Sequence, residues 1–138
     1  MFKYLRNING SAPNTEIVTF SYYQPEEDDS VFLPGSIVTI SAGGIDTIFS
    51  HEYPAYLVIS VCEKEKTANC IKIIPGMVFE ADIASSVSID SIYVGSCCGI
   101  YTDDLARGTH LGASGEENFF QVIDNSNKNK KKATVVVM

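Results

Sequence analysis

Short runs of alternating hydrophobic and polar residues cover most of the chain, and charged or glycine-containing segments separate them. Alternation with a period of two is typical of β-strands that bury one face. A helical period is not sustained over any stretch of about ten residues, although 103–108 could form a single helical turn. The alternation predicts strands at 16–23, 36–41, 55–62, 70–74, 77–83, 91–95, 97–102, 118–124 and 133–138. We therefore expect an all-β domain of about eight to nine short, mostly antiparallel strands, arranged as a small single-domain β-barrel or β-sandwich.

The segment 55–62 (AYLVISVC) differs from the other runs because it is apolar at both alternating positions. A strand with this composition is buried on both faces. Two arrangements satisfy it. Either the strand lies at the centre of a sheet, or another subunit covers one of its faces.

A similar sequence occurs twice in the chain, as VFLPGSIVTIS (31–41) and as KIIPGMVFEAD (72–82). The two copies align Pro34-Gly35 with Pro75-Gly76. Proline followed by glycine suits the two central positions of a type II turn, where the glycine adopts a positive φ. We expect a tight turn that enters a strand in both places. The similarity indicates either two similar turns or an internal duplication.

The C-terminal part of the chain contains two β-rich runs, 118–124 and 133–138, around a polar loop. This order predicts a hairpin that closes the sheet. A run of like charges in such a loop usually faces water, but it could also dock against an acidic neighbour or bind nucleic acid. The loop carries four of the ten basic residues of the chain, at Lys128, Lys130, Lys131 and Lys132.

The N-terminal segment combines apolar side chains with basic and polar ones. The apolar residues are too many for a simple soluble tail and too interrupted for a helix. This favours an extended arm that docks on a partner through backbone pairing and side-chain anchors. The alternative is an arm folded over its own sheet. We therefore divide the chain into an extended N-terminal arm (1–15) and a β-domain (16–138). The candidate partner-binding residues are Phe2, Tyr4, Leu5 and Ile8 of the arm, together with Lys128, Lys130, Lys131 and Lys132 of the loop.

Composition supports this interpretation and argues against several classes of protein. The chain has 138 residues, of which 45% are hydrophobic, which is typical of one folded domain. Its 15 Ile and 12 Val residues, against 5 Leu, disfavour a helical bundle, because β-branched side chains suit a pleated sheet. The net charge of −7 disfavours nucleic acid as the main partner, since a phosphate-binding face needs many basic groups. No apolar run of about 18 residues is present, so we expect no membrane span.

Residue types that support catalysis or metal binding are sparse. The histidines His51 and His110 lack metal-ligand spacing, and the carboxylates at 26–29 lack the spacing of a calcium loop. We therefore predict no enzymatic activity, no catalytic residue, no cofactor and no metal. Cys62 and Cys70 flank a polar connection and would be near neighbours if the segments around them formed a hairpin. That geometry permits a disulfide without requiring one.

Five segments between residues 35 and 138 carry a family resemblance. They are GSIVTISAGGIDTIFS (35–50), the strand that begins Ala55-Tyr56-Leu57, PGMVFEADI (75–83), SIYVGSCCGIYTDD (91–104) and FFQVIDNSNKNKKKATVVVM (119–138). They describe a small β-domain with a strand after each glycine turn, a Val-Gly step into the next strand and a closing hairpin, preceded by an extended N-terminal segment. In this arrangement the chain resembles bacteriophage capsid decoration proteins, also called cement or head auxiliary proteins.

The resemblance implies a structural virion protein that binds the outer surface of an assembled capsid and reinforces the joints between capsid subunits. The partners it implies are the major capsid protein and further copies of the same chain, often as a trimer, with neither nucleic acid nor membrane. The protein would be made in the host cytoplasm and reside on the outer surface of the virion capsid. A tail-tube or head–tail connector subunit is an alternative, because other virion β-barrels share these features. A carbohydrate-binding β-module is a further one.

Overall fold

The fold is described by a computed structural model for residues 1–10, 16–22, 32–41, 44–47, 54–103, 108–113 and 118–138. This part of the chain contains β-strands and two short 3₁₀-helices, and no α-helix. The strands are β1 (Phe2–Asn7), β2 (Ile17–Ser21), β3 (Ile37–Ser41), β4 (Gly44–Thr47), β5 (Ala55–Cys62), β6 (Thr67–Lys72), β7 (Met77–Asp82), β8 (Cys97–Cys98), β9 (Ile100–Asp103), β10 (Gly108–Leu111), β11 (Phe120–Asp124) and β12 (Lys132–Val137). The all-β prediction is confirmed, although the described strands are more numerous than the alternation alone predicts.

The strands form two five-stranded antiparallel sheets and one two-stranded sheet. Sheet 1 has the order β1-β7-β12-β11-β8, sheet 2 has the order β2-β6-β5-β3-β4, and the small sheet pairs β9 with β10. The predicted C-terminal hairpin is present, because β11 pairs with β12 and places Val122 opposite Val135. Strands β1, β7 and β12 lie side by side in sheet 1, so this sheet brings the two ends of the chain together.

The main hydrophobic core lies between sheet 1 and sheet 2, because it contains buried side chains from both. Phe79 of sheet 1 and Leu57 of sheet 2 belong to it. Sheet 1 and sheet 2 therefore share one core, and a second apolar cluster lies on the other face of sheet 2. The second cluster includes Tyr22, Phe32, Val38, Val58 and Cys70.

Strand β5 is the central strand of sheet 2 and is buried on both faces over its first half. Leu57 faces the main core, whereas Val58 faces the second cluster. Of the two arrangements that the sequence allows, the structure has the first, in which the strand is central and its own chain covers both faces. The second half of β5 differs, because Ile59 and Ser60 are exposed.

Both Pro-Gly pairs form tight turns that enter a strand, as predicted. Gly35 and Gly76 each have a φ of +88°, which favours glycine over residues with a Cβ. A backbone hydrogen bond spanning three residues closes the two turns, at 3.0 and 3.3 Å. A third turn of this kind contains Gly95, with a φ of +92°. The three glycine N–H groups donate to valine carbonyls on neighbouring strands, those of Val58, Val137 and Val122 respectively.

Strand β1 is tied to two of these turns. It pairs with β7 at the edge of sheet 1. The N–H of Phe2 donates to the carbonyl of Gly35 at 2.8 Å, and the N–H of Ile8 donates to the carbonyl of Gly76 at 2.7 Å. β1 therefore belongs to sheet 1. This corresponds to the second of the two hypotheses for the N-terminal segment, in which the arm folds over its own sheet. Residues 11–15 of the arm lie outside the described residues.

The structure differs from the predicted strands in several places. The alternation predicts a strand at 91–95, but this segment follows a 3₁₀-helix (Ile89–Ser91) and contains the turn at Gly95. The apolar Tyr93 and Val94 are exposed in that turn. The range 97–102 contains two strands, β8 and β9, in different sheets, while β1, β4 and β10 are additional strands. Residues 104–107 of the expected helical turn lie outside the described part of the chain.

Neither large sheet closes into a barrel within the described residues, because the edge strands of each sheet do not pair with one another. The edges of sheet 2 approach each other at Gly44 of β4 and Ser21 of β2. A Cβ on Gly44 would overlap the carbonyl oxygen of Ser21. Of the two predicted architectures, a closed barrel is therefore not found among the described residues.

The hairpin that joins Cys62 to Cys70 forms, but its register separates the two thiols. Cys62 lies opposite Thr67, whereas Cys70 lies opposite Val58. Because a strand advances about 3.3 Å per residue, the two positions are offset by about 10 Å along the ladder. The expected proximity is therefore wrong, and both cysteines are free.

Candidate interaction surfaces

The four apolar residues predicted for the arm lie in different environments. Phe2 is 3% exposed, and its ring stacks on that of Phe120 with the centroids 5.0 Å apart. Tyr4 is half-buried at the rim of the main core. Leu5 and Ile8 are 43% and 56% exposed. In this fold Leu5 and Ile8 are accessible to a partner, whereas Phe2 stabilises the core.

An apolar groove of about 590 Å³ opens between the edge of sheet 1 and sheet 2. Its lining includes Phe2 of β1, Ile17 of β2, Leu57 and Ile59 of β5, and Ile71 of β6. Ile17 and Ile59 are 57% and 43% exposed. Two exposed isoleucines in the lining of one concave surface make it a candidate interaction site. We call this surface the apolar groove.

Two open sheet edges border the apolar groove. Among the described strands, β1 pairs only with β7 and β2 pairs only with β6. Because Gly44 of β4 lies against Ser21, the accessible part of the β2 edge is the end that contains Ile17. An edge strand presents backbone N–H and C=O groups that an extended segment of a partner can pair with. The groove therefore lies beside backbone hydrogen-bonding groups, and these are the two components of recognition by strand addition.

A small charge network lies at the rim of the apolar groove. The carboxylate of Asp82 accepts hydrogen bonds from Lys132 Nζ at 2.7 Å and from the α-amine of Met1 at 3.2 Å. Partial burial acts to raise the pKa of Asp82, but these two cationic donors outweigh it and hold the pKa below its ordinary value. The hydrogen bond to Asp82 also raises the pKa of Lys132. The Lys132 side chain is therefore bound to Asp82, a residue of the neighbouring strand in sheet 1.

The other three predicted lysines lie on a hydrogen-bonded turn between β11 and β12. Lys128–Lys130 form a 3₁₀-helix, and Lys131 follows it with a left-handed φ of 58°. The N–H of Lys131 donates to the carbonyl of Lys128 at 2.9 Å, and the carbonyl of Lys131 accepts from the N–H of Ile83 at 2.8 Å. These backbone bonds fix the positions from which the lysine side chains extend.

A second concave surface, which we call the basic cleft, lies beside this turn and has a volume of about 460 Å³. Lys130 and Lys131 line it from the hairpin, and His110 and Tyr101 line it from the small sheet. His110 and Tyr101 are direct partners in the ladder of β10 with β9. The polar lining residues are Asp82, Ser85, Tyr101, His110, Lys130 and Lys131.

The basic cleft exists because the small sheet packs beside the end of β7. An isolated parallel bridge joins Ile83 to Leu111. The N–H of Ala84 donates to the carbonyl of Leu111 at 2.9 Å. His110 and the lysines are far apart in the sequence, and no local sequence pattern predicts the bridge between Ile83 and Leu111. Their proximity is therefore visible only in the structure.

The remaining candidate groups are the histidines, cysteines and carboxylates named in the sequence analysis. No group of three or more His, Cys, Asp or Glu side chains is placed there to hold a metal ion. His51 and the carboxylates at 26–29 lie outside the described residues. None of the described helices has the length and apolar character needed to cross a membrane.

The two surfaces are therefore the candidate functional features of the described structure. Comparison of the chain with protein-family models, with curated proteins and with solved structures gives no match.

Proposed function

We propose that this protein is a structural virion protein that binds the outer surface of an assembled phage capsid and reinforces the joints between capsid subunits. Its partners are then the major capsid protein and further copies of the same chain, with a trimer as the expected assembly. The resemblance of 35–138 to capsid decoration proteins supports the proposal. The observation that carries it is the apolar groove, with exposed Ile17 and Ile59 beside two open sheet edges.

The apolar groove suits attachment to a repeating protein surface. An extended segment of a capsid subunit would pair with the edge of β1 or β2 and bury Ile17 and Ile59. Covering the exposed part of each isoleucine contributes about 1 kcal/mol. A trimer on a symmetric shell would engage several such sites at once, so weak single contacts would add up to firm attachment.

The net charge of the chain is consistent with a position on the outside of a particle. At −7 the protein is strongly acidic for its length. A net charge of one sign keeps particles soluble and apart. Decorated shells would therefore repel one another while the apolar groove faces the shell.

Shell binding by groove variants tests the proposal. We expect the wild-type protein to sediment with shells assembled from the major capsid protein, and the variant Ile17→Lys with Ile59→Lys to bind at least about tenfold more weakly. The matched control is Tyr93→Lys with Val94→Lys, which adds the same charge at exposed apolar residues outside the groove lining. Equal binding by the groove variant and the wild type, or no binding by the wild type, would contradict the proposal.

Point substitutions are preferable to truncation of the arm. Removing residues 1–15 would delete β1 and expose the core around Phe2, so that lost attachment could reflect a lost fold. Leu5→Glu with Ile8→Glu tests the accessible part of the arm instead. We expect this variant to keep the unfolding midpoint of the wild type and to attach to shells more weakly. Unchanged attachment would show that Leu5 and Ile8 do not contact the shell.

A further inference from the structure

We propose that the basic cleft binds a carboxylate-rich segment of a second copy of this chain. The inference rests on the part of the proposed function that names further copies of the same chain as partners, and it assigns a surface to that contact. It can be tested without capsid shells.

The lining of the basic cleft is chemically suited to carboxylates. Lys130, Lys131, Ser85 and Tyr101 line the cleft, and their ammonium and hydroxyl groups are hydrogen-bond donors. Hydrogen bonds from charged donors to carboxylates are the stronger class. His110 contributes an imidazole ring to the lining of the cleft.

No described acidic side chain is paired with either cleft lysine. In the described part of the chain, neither Lys130 nor Lys131 makes an ion pair. The acidic lining residue, Asp82, is already engaged by Lys132 and by the α-amine of Met1. The negative charge of Asp82 is therefore largely neutralised by these two cationic groups. Lys130 and Lys131 then give the lining of the cleft an excess of positive charge.

The size and construction of the cleft favour a peptide segment over a single small ion. A volume of about 460 Å³ is many times the roughly 30 Å³ that one water occupies in the liquid. The backbone bonds of Lys131 with Lys128 and with Ile83 fix the main chain from which the lysine side chains extend. Only the side-chain rotamers then remain to be ordered on binding, which limits the entropic penalty.

Charge complementarity identifies the occupant. Outside the lysines of the loop, the chain carries six basic residues against 17 acidic ones. Its densest acidic run is Glu26-Glu27-Asp28-Asp29. A second copy therefore supplies four consecutive carboxylates, whereas a nucleic acid would approach a protein of net charge −7 against general repulsion.

Charge reversal in the cleft tests the contact. We expect the mass of the wild-type protein in solution, measured by light scattering, to rise with protein concentration at roughly 0.02 M salt and to fall at about 0.5 M salt. The variant Lys130→Glu with Lys131→Glu should self-associate at least about tenfold more weakly than the wild type. The matched control is Lys64→Glu with Lys72→Glu, which makes the same change of charge at exposed lysines elsewhere and should associate like the wild type.

A rescue experiment identifies the acidic segment. The variant Glu26→Lys with Glu27→Lys should associate weakly by itself but should bind the Lys130→Glu, Lys131→Glu variant when the two are mixed. Failure of the mixture to associate would contradict the assignment of 26–29. Salt-independent association, or a wild-type protein that stays monomeric at every concentration, would contradict a contact between copies. Binding of a mixed-sequence DNA duplex that the cleft variant loses would assign the cleft to phosphate and overturn the proposal.

Discussion

Gly44 illustrates how one residue limits the shape of sheet 2. Its φ is +107°, and a Cβ at this position would overlap the carbonyl oxygen of Ser21 on the opposite edge strand. Gly95 has a similar φ of +92°, but nothing lies within 4 Å of the place a Cβ would take. Alanine at Gly95 would therefore lose stability only through the positive φ, whereas alanine at Gly44 would lose stability through both the φ and a steric overlap.

We expect Gly44→Ala to destabilise the domain more than Gly95→Ala. A positive φ costs a residue with a Cβ about 1–2 kcal/mol, and this applies to both variants. Overpacking adds about 1–3 kcal/mol for Gly44→Ala only. Urea denaturation of the two variants measures the difference. An equal loss of unfolding free energy would show that β2 and β4 do not approach closely.

The cysteines provide a second prediction at the scale of residues. Burial raises the pKa of both Cys70 and Cys98 to about 11, so their thiols are protonated at neutral pH. Cys62 is exposed. We expect a thiol-modifying reagent to label Cys62 rapidly in the native protein, and Cys70 and Cys98 only after denaturation. Peptide mapping by mass spectrometry identifies the labelled sites, and labelling of Cys70 as fast as Cys62 would contradict the described packing of sheet 2.

At the scale of elements, β1 decides whether the N-terminal segment is a loose arm or part of the sheet. Its pairing with β7 and its bonds to two turns place it in the sheet. We expect Phe2→Ala to lower the unfolding free energy by about 3–5 kcal/mol, as for a large aromatic residue in a core. The control Leu5→Ala lies on the same strand but is exposed, and should change stability by less than about 0.5 kcal/mol. Equal stability of both variants and the wild type would show that β1 is not docked.

Most strands of the domain follow from alternation, and the missed ones have identifiable reasons. β1 contains a register shift between Tyr4 and Arg6, which breaks a regular two-residue period. β4 and β10 have four residues each, the shortest length over which alternation can be recognised. The segment 91–95 is apolar, yet it forms a turn because the conformation at Gly95 ends the extended backbone. Alternation therefore predicts long strands well, whereas turn geometry decides the short segments.

The candidate surfaces are harder to predict than the strands. The exposed lysines of the C-terminal loop are visible as a charged run, and the structure places them on a turn as that run suggests. The apolar groove is not visible, because Ile17 and Ile59 have the same residue type as buried core positions. Whether an isoleucine is covered depends on which strand lies beside it. That is a property of sheet order, which the local sequence does not encode.

At the scale of the whole molecule, the described surface combines two features of opposite character. The apolar groove lies along the edges of β1 and β2, and the basic cleft lies between the C-terminal hairpin and the small sheet. Asp82 and Lys132 belong to the rim between them, since Asp82 lines both. In the two proposals, the apolar groove contacts the capsid and the basic cleft contacts an acidic segment of another copy.

Cryo-electron microscopy of capsid shells incubated with the purified protein tests the proposed function most directly. We expect additional density over the outer lattice, at the joints between capsid subunits, with the edges of β1 and β2 against the shell. The Ile17→Lys, Ile59→Lys variant should leave the same sites bare. Shells that stay bare at saturating wild-type protein, attachment with the groove facing solvent, or density found only as stacked rings of a tail tube would contradict a decoration protein that binds through this groove.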